Sequence, residues 1–547
     1  MFEDRRRAAP VGAAWCSGEV PRKEVSRDCC PDRGGPHQHI CRGIFQIEKR
    51  SCDVLLTASR LEWTAIEPES PAGDGATISQ REAEFLDLKE VFAVKMKCRR
   101  SMKQHNGGTL LGIAIFVCVN KGQNKLKHRV IHLSNLSEDH CNIWFKYLKD
   151  LLNGFFPNRP KSLKVIINPY SHKKEAKQVY HEHVAPLFKL ADIRTDITIT
   201  EYEGHGFLVL KECDIQEFDG VVCVGGDGTA SEVARALLLR AQIDAGKDVD
   251  SNFTPVRAPL PLGIIPAGST NILAFSVHGL KHPSTAAMHI IMGNLQEVDV
   301  CTFSSHNRLL RFGFSGMFGF GGRTLALAEK HRWIPSKERR EFAVIKTLAN
   351  LKSEDCEISF LPSKNTHLDN QDCKRNANGT NAEEQCSEDE WKSMQGDFIN
   401  ISIMAIPCLC SMAPRGLAPD TRLDNGSMSL IAVRNSTRAD FIKHLKQYGN
   451  LNNQFNFPFV ETYTVQEVKV QSRMENRWAE ETSEEKADFS LRCPSVVSLK
   501  GNCPWNVDGD LMEESSEIHI KIHSQLITLY GRSIEECDES TVQCGCL

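Results

Sequence analysis

The sequence has few of the features that would carry a chain into or across a membrane. Its longest apolar run, TLLGIAIFVCV at 109–119, is well short of the roughly 20 residues a helix needs to span a bilayer, so no transmembrane helix is expected. The opening MFEDRRRAAPVGAAWCSGEV has arginines but no continuous apolar core, and a secretory signal is not expected either. A large excess of charge is also missing: the formal net charge of −4 argues against bulk nucleic-acid binding, and no specific nucleic-acid partner is predicted. The 21 cysteines are odd in number and contain no C-x-x-C pair, which discourages both a disulfide framework and a zinc site, and no protein metal cluster is predicted. They read as buried small hydrophobes in a reducing, cytoplasmic setting. The closing CGCL has the form of a prenylation box without aliphatic middle positions. A further absence is local. Residues 167–176, INPYSHKKEA, follow a strand-like run as a phosphate-binding loop does, but contain no glycine.

What is present describes a globular chain. At 547 residues, with 41% hydrophobic and 25% charged residues, it exceeds one core and predicts two or three domains. Residues 1–40 mix Arg, Pro, Gly and Cys without periodicity and read as a disordered N-terminus. Over 41–155, short β-type runs (GIFQI, CDVLLTASRLEWTAI, EFLDLKEVFAVKMK, GIAIFVCV, RVIHLS) precede one amphipathic helix. Ser137 caps that helix, and Ile143, Trp144, Tyr147, Leu148, Leu151 and Leu152 recur at helical spacing. Such an arrangement resembles a pleckstrin-homology (PH) domain. PNRPKS at 157–162 reads as a linker, and 160–300 alternates strands and helices, predicting a parallel sheet covered on both faces. Residues 301–535 are strand-rich and predict an antiparallel second lobe, with flexible inserts at 363–393 and 472–502 and a tail at 536–547.

The strongest chemical signal is VVCVGGDGTASEV at 221–233. A buried strand ends in Gly225-Gly226-Asp227-Gly228-Thr229, and a helix begins at once. Glycines let the backbone turn sharply and approach a phosphate, and the N–H groups of a helix start favour anions. Asp227 is the acid at that turn, placed to face magnesium-bound phosphate or to take a proton from a hydroxyl. The plainer reading is a tight strand-to-helix connection, with Thr229-x-x-Glu232 as a capping box.

GGDGT after a strand, followed by a strand ending in PAGSTN, resembles the catalytic fold of the diacylglycerol, sphingosine and ceramide lipid kinases. RLLRFGFSGMFGFGG, AEKHRW, APRGL, NQFNFPFVETY and PWNVDGD extend the likeness over about residues 40–535, and a PH-like domain ahead of such a region is the ceramide kinase arrangement. The resemblance implies a multidomain chain: a PH-like β-barrel with C-terminal helix, an α/β nucleotide lobe and an antiparallel β-rich second lobe. It implies ATP and Mg2+ as cofactors, Asp227 as the acid that activates a lipid hydroxyl, and Gly225, Gly226, Gly228 and Arg323 beside the substrate. Nucleotide contacts would fall on Asn168, Pro169, Tyr170, Lys173, Lys174, Thr200, Glu201, Thr229, Glu232, Gly268, Ser269, Thr270, Asn271, Arg332, Asp508, Gly509 and Asp510. Plainer roles exist for several: Asn168 and Asp508 as turn formers, Arg332 as a solvated helix charge.

Several positions depart from the family pattern. His172 and Ala176 stand where active relatives have loop glycines, and side chains there crowd the N–H groups that cradle phosphate. Lys173, Lys174 and Lys177 supply charge without a preorganised cradle. Arg323 replaces an Asp of the lipid-facing segment, Asn425 and Ser429 replace acids of a DG-x-x-D turn, and Asp510 replaces a Glu. The expectation is a lipid kinase homologue without ordinary ceramide kinase activity, acting as a membrane-associated regulator that binds nucleotide weakly. An active kinase for a different lipid is the alternative, and Arg323 would suit an anionic one better than ceramide. The PH-like domain predicts a lipid or membrane-surface partner and reversible ER/Golgi association, alongside protein partners. Its basic cluster, Lys95, Lys97, Arg99, Arg100 and Lys103, also predicts a nuclear pool.

Overall fold

The structure is a computed structural model that describes residues 39–66, 83–99, 109–122, 124–171, 174–247, 254–306, 308–363, 390–450, 454–473, 503–512 and 516–534. The predicted N-terminal segment, most of both inserts, the tail with CGCL, His172, Lys173, Arg100 and Lys103 lie outside those residues.

The PH-like domain is two antiparallel sheets and a plug. His39–Ile47, Arg50–Thr57, Arg60–Ala65 and Glu84–Asp87 form one sheet, and Val91–Arg99, Thr109–Asn120 and Leu126–Leu133 the other. A bridge between Gln46 and Ser134 joins them. Helix Glu138–Phe155 starts where Ser137 Oγ accepts from the His140 N–H at 3.3 Å. It buries Cys141, Trp144 and Leu148, with Trp144 edge-on to Phe45 at 5.0 Å. Two runs that read as single strands each divide. The first folds back at Thr57–Arg60, where Thr57 Oγ1 accepts from the Arg60 N–H at 3.0 Å. Neither Gly nor Pro marks that turn, because a hydroxyl makes it.

The PH-like domain packs directly on the next lobe. Phe92, Ala93 and Leu126 share a core with Leu163, Val165 and Met288, and the Leu126 N–H donates to Thr285 Oγ1 at 3.1 Å. Arg159, in the linker, donates to the carbonyls of Val91 and Lys89 at 2.6 and 2.7 Å. Lys95 and Lys149 both pair with Asp192. Lys95, read as part of a free basic cluster, is therefore engaged between domains.

The second region is a parallel sheet ordered Leu262–Pro266, Gly220–Gly225, Ser162–Ile167, Arg194–Ile199. Strand Gly220–Gly225 is buried throughout, as expected of a strand with both faces covered. The boundary predicted at 300/301 falls inside strand Leu295–Ser305. The final strand, Glu517–Tyr530, pairs antiparallel with that strand and touches Leu262–Pro266 in parallel at Leu529. Both lobes thus share one 14-stranded sheet. The antiparallel lobe also carries helices Phe320–Lys330, Ser336–Ala349 and Arg438–Gln447, which the strand-rich reading passed over. The first begins Phe-Gly-Gly-Arg, and glycines argue against a helix. Here Gly322 is required by contact: a Cβ on it would lie 1.8 Å from the Pro504 carbonyl oxygen.

Candidate active site

In an open parallel sheet, chemistry gathers at the C-terminal strand ends. Strand Gly220–Gly225 leads through Gly226 into helix Asp227–Asp244, and strand Leu262–Pro266 leads through Ala267–Asn271 into helix Ile272–His278. The two turns touch backbone to backbone. A Cβ on Gly268 would sit 2.3 Å from the Gly226 Cα, and one on Gly225 would sit 2.6 Å from the Thr229 side chain. Asn271, at φ 59°, locks the second turn: its Oδ1 accepts from the Gly268 N–H at 2.8 Å and its Nδ2 donates to the Gly268 carbonyl at 3.0 Å.

Asp227 sits at this contact. Its Oδ2 accepts from the Asn271 N–H at 2.8 Å, whereas its Oδ1 is buried without a partner. Burial raises the carboxyl above its ordinary value, opposed by the N–H groups of Ile272, Asn271 and Leu273 and by Arg340. Burial in turn lowers the Arg340 guanidinium, which the Asp227 charge opposes, and Arg340 also donates to Thr270 Oγ1. Lys281 donates to the Gly268 carbonyl at 2.6 Å. Neither Arg340 nor Lys281 was singled out from the sequence, since the residues between them and the turn carry no motif.

Thr229 and Glu232 do not form a capping box. Thr229 Oγ1 accepts from Asn168 Nδ2 at 3.0 Å, tying the first strand end to the acid turn. Glu232 Oε1 accepts from the Phe207 N–H at 3.4 Å, at the start of helix His205–Glu212. The capping role is thus real but serves a neighbouring helix. Asp510 faces Arg311 and Arg235 at 3.6 and 4.0 Å and lies 3.5 Å from where a Gly228 Cβ would be. Burial raises its carboxyl, against both arginines. Arg235 was legible in principle, because Gly228, Glu232 and Arg235 share one helix face.

Other predicted residues lie further from this contact or are already occupied. Asp508 accepts from the N–H groups of Phe314 and Ser315 and from Ser315 Oγ at 2.8–3.0 Å. Burial pushes it up to about 6 against those bonds. It fastens the hairpin of Trp505–Val507 and Asp510–Met512, with Gly509 at its tip bonded to Asn506 Oδ1 at 2.9 Å. Thr200 is buried, Glu201 is exposed, and the Glu201 N–H donates to His205 Nδ1 at 3.0 Å. Arg332 is exposed and pairs with Glu329 and Glu203. Ser269 and Thr270 lie half-buried in the second turn. Arg323 changes most from its reading: it is buried and paired with Glu354, and donates to the Lys352 carbonyl, so its guanidinium is turned into the protein. Asn425 accepts from the Ser427 N–H within its own turn.

The described residues on either side of 172–173 in the first loop bond to one another. Asn168 Oδ1 accepts from the Tyr170 N–H at 3.0 Å, the Ser171 N–H donates to the Asn168 carbonyl at 3.3 Å, and the Lys174 N–H to the Ser171 carbonyl at 2.9 Å. Pro169 has no N–H to give. Tyr170 is exposed, with the Lys174 ammonium 6.0 Å from its ring. Ala176 is buried in the shared core at the start of helix Ala176–Val179. As a preformed triphosphate cradle this part of the loop does not fit, because the N–H groups of Tyr170, Ser171 and Lys174 are already bonded to loop oxygens. Among the described residues no cluster of His, Cys, Asp and Glu is arranged to hold a metal ion, and no helix is long and apolar enough to cross a membrane.

Comparison with known proteins fits this arrangement. The family described as Ceramide kinase PH domain matches residues 41–148, Diacylglycerol kinase catalytic domain 162–303, and Ceramide kinase C-terminal domain 314–547. The human protein described as Ceramide kinase-like protein is 58% identical, covering 91% of each chain. Human Ceramide kinase is 36% identical, covering 90% of this chain and 97% of its own. A solved diacylglycerol kinase from Bacillus anthracis str. Sterne covers 68% of this chain and 97% of its own, at 12% identity and a TM-score of 0.42. Fold and site define a lipid kinase architecture behind a PH domain. The chain belongs to the ceramide kinase family. Lipid kinases of this kind use ATP and a divalent metal.

Proposed function

We propose that this chain is a ceramide kinase homologue with little or no ordinary ceramide kinase activity, acting as a membrane-associated regulator that binds lipid and, weakly, nucleotide. The observation that carries this reading is the closed first loop, whose N–H groups at 170, 171 and 174 are bonded within the loop. Opening them to a phosphate would cost those bonds, so affinity falls even though Asp227 remains. Arg323 no longer contributes to the argument, since its charge is met by Glu354. Purified protein with Mg-ATP and ceramide should form no appreciable ceramide 1-phosphate. Mg-ATP near its Kd should stabilise the fold by only about 0.4 kcal/mol. His172→Gly with Ala176→Gly should enlarge that shift. Ceramide 1-phosphate made by the wild type and abolished by Asp227→Asn would sink the proposal.

A second reading rests on Asp227 Oδ1, buried and unpartnered. Such an oxygen suits acceptance of a proton from a lipid hydroxyl, with the raised carboxyl making a better base near neutral pH. On that reading the chain is an active kinase for a lipid other than ceramide, and Asp227-dependent ATP turnover across a lipid panel separates the two. For localisation, Lys97 and Arg99, with Arg100 and Lys103, serve anionic endomembrane surfaces and nuclear import, while Lys95 holds the domain interface. Replacing Lys97, Arg99 and Arg100 together by Ala should reduce both pools. An unchanged distribution would reject both roles.

A further inference from the structure

Helices Phe320–Lys330 and Ser336–Ala349 stand beside the acid turn, and the segment joining them presents an apolar face to solvent. Trp333 is 79% exposed, Ile345 60% and Phe342 37%. They form one patch: the His331 ring lies 5.0 Å from Phe342 and 6.4 Å from Trp333, and Phe342 and Ile345 are three residues apart on one helix face. A tryptophan this exposed keeps most of its apolar area in water, and clustered apolar exposure marks a docking surface. The segment is basic: residues 330–346, KHRWIPSKERREFAVIK, hold six lysines and arginines against two glutamates. Arg332 is met by Glu329 and Glu203 and Arg340 turns to Thr270, while Lys330 is exposed and the Lys346 ammonium lies 5.8 Å from the Phe342 ring. Aromatic and aliphatic side chains inside a cationic rim match the chemistry of an anionic bilayer surface, where the rings enter the acyl boundary and the cations meet headgroup phosphates.

Position adds a second argument. Arg340, on the same helix, donates to Thr270 Oγ1 next to Asn271, whose N–H holds Asp227. On another edge Met412 is 70% exposed, two residues from Cys410, which feels the Asp227 charge. The apolar face thus shares a helix with Arg340, which reaches the turn beside Asp227. We propose that the surface of Trp333, Phe342 and Ile345 seats the kinase lobe on an anionic membrane, as a contact separate from the PH domain, and that it does so whether or not the site turns over.

The test uses the full chain and phosphatidylserine-containing phosphatidylcholine vesicles. Trp333→Asp with Ile345→Asp should cut sedimentation with vesicles roughly tenfold or more, with little change in Tm because both side chains are exposed. Trp333→Phe should keep binding but remove much of the tryptophan fluorescence quenched by acyl-brominated lipid, which places the side chain in the bilayer without relying on a charged variant. Lys97→Ala with Arg99→Ala should weaken binding further in the double-Asp background. Undiminished sedimentation of the double-Asp variant, or unchanged bromolipid quenching in Trp333→Phe, would overturn the proposal. So would a face that leaves vesicles alone and captures a protein. Ceramide turnover does not enter this readout, so it fails or stands apart from the kinase reading.

Discussion

The loop after strand Ser162–Ile167 and the turn after strand Gly220–Gly225 sit at adjacent strand ends of one parallel sheet, and Asn168 and Thr229 join them through a 3.0 Å hydrogen bond. Their backbones are spent differently. In the first, described N–H groups close onto the loop's own oxygens, and Ala176 fills core space. In the second, glycines meet glycines, and an acid keeps one buried oxygen unbonded. The lesson concerns which part of GGDGT speaks for chemistry. Gly225 and Gly226 are accounted for by packing against Thr229 and Gly268, whatever the protein does. Asp227 is not: a buried carboxyl with one oxygen left unpartnered costs stability, and packing gives no account of it.

That division can be broken by substitution. The largest effect should come from Gly268→Ala, whose Cβ would meet the Gly226 backbone at 2.3 Å. We expect a loss of about 3 kcal/mol in urea unfolding, and near-wild-type stability would remove the packing account of the glycines. Next is Ala176→Gly, predicted to cost about 1 kcal/mol by loosening a buried helix start, while it enlarges the Mg-ATP thermal shift. A cost without any gain in the shift would mean that the loop is closed for other reasons.

Asp227→Asn should go the other way. The folded carboxyl is raised by burial, so the folded state prefers it protonated. That contribution is complete below the ordinary carboxylate pKa and is lost as pH rises through the folded value. The variant should therefore exceed wild type by about 1 kcal/mol at pH 7, with the gain shrinking as pH falls through the raised folded value and gone by about pH 4. A constant difference across that range would show that the acid is not strained. The smallest effect belongs to Gly228→Ala. Its Cβ meets Asp510 only at 3.5 Å, and alanine favours helices, so a change within about 0.5 kcal/mol is expected by calorimetry.

The PH-like domain, the alternation of the α/β lobe and the acid turn were legible because each rests on a local period or a short motif. The helices at 320–349 were hidden by their opening glycines, and the strand pair around Thr57–Arg60 by a turn that uses a hydroxyl. The burial of Arg323 was hidden for a different reason. A substituted charge in a substrate segment looks exposed until its partner is known, and Glu354 lies thirty-one residues away in sequence. Lys95 is alike: its neighbours in sequence suggest a free cationic strand end, and Asp192, ninety-seven residues away, holds it.

The sequence by itself determined the order of domains, the strand-to-helix turn that carries Asp227 and the missing glycines of the first loop, because these follow from residue type and near-neighbour spacing. Tertiary structure decided which charges are free. Lys95, Arg323 and Asp508 meet partners distant along the chain, while Asp227 Oδ1 and the face of Trp333 and Ile345 are left without them. Whether a polar or apolar group is satisfied depends on what the fold brings within a few ångströms, and no local pattern encodes that.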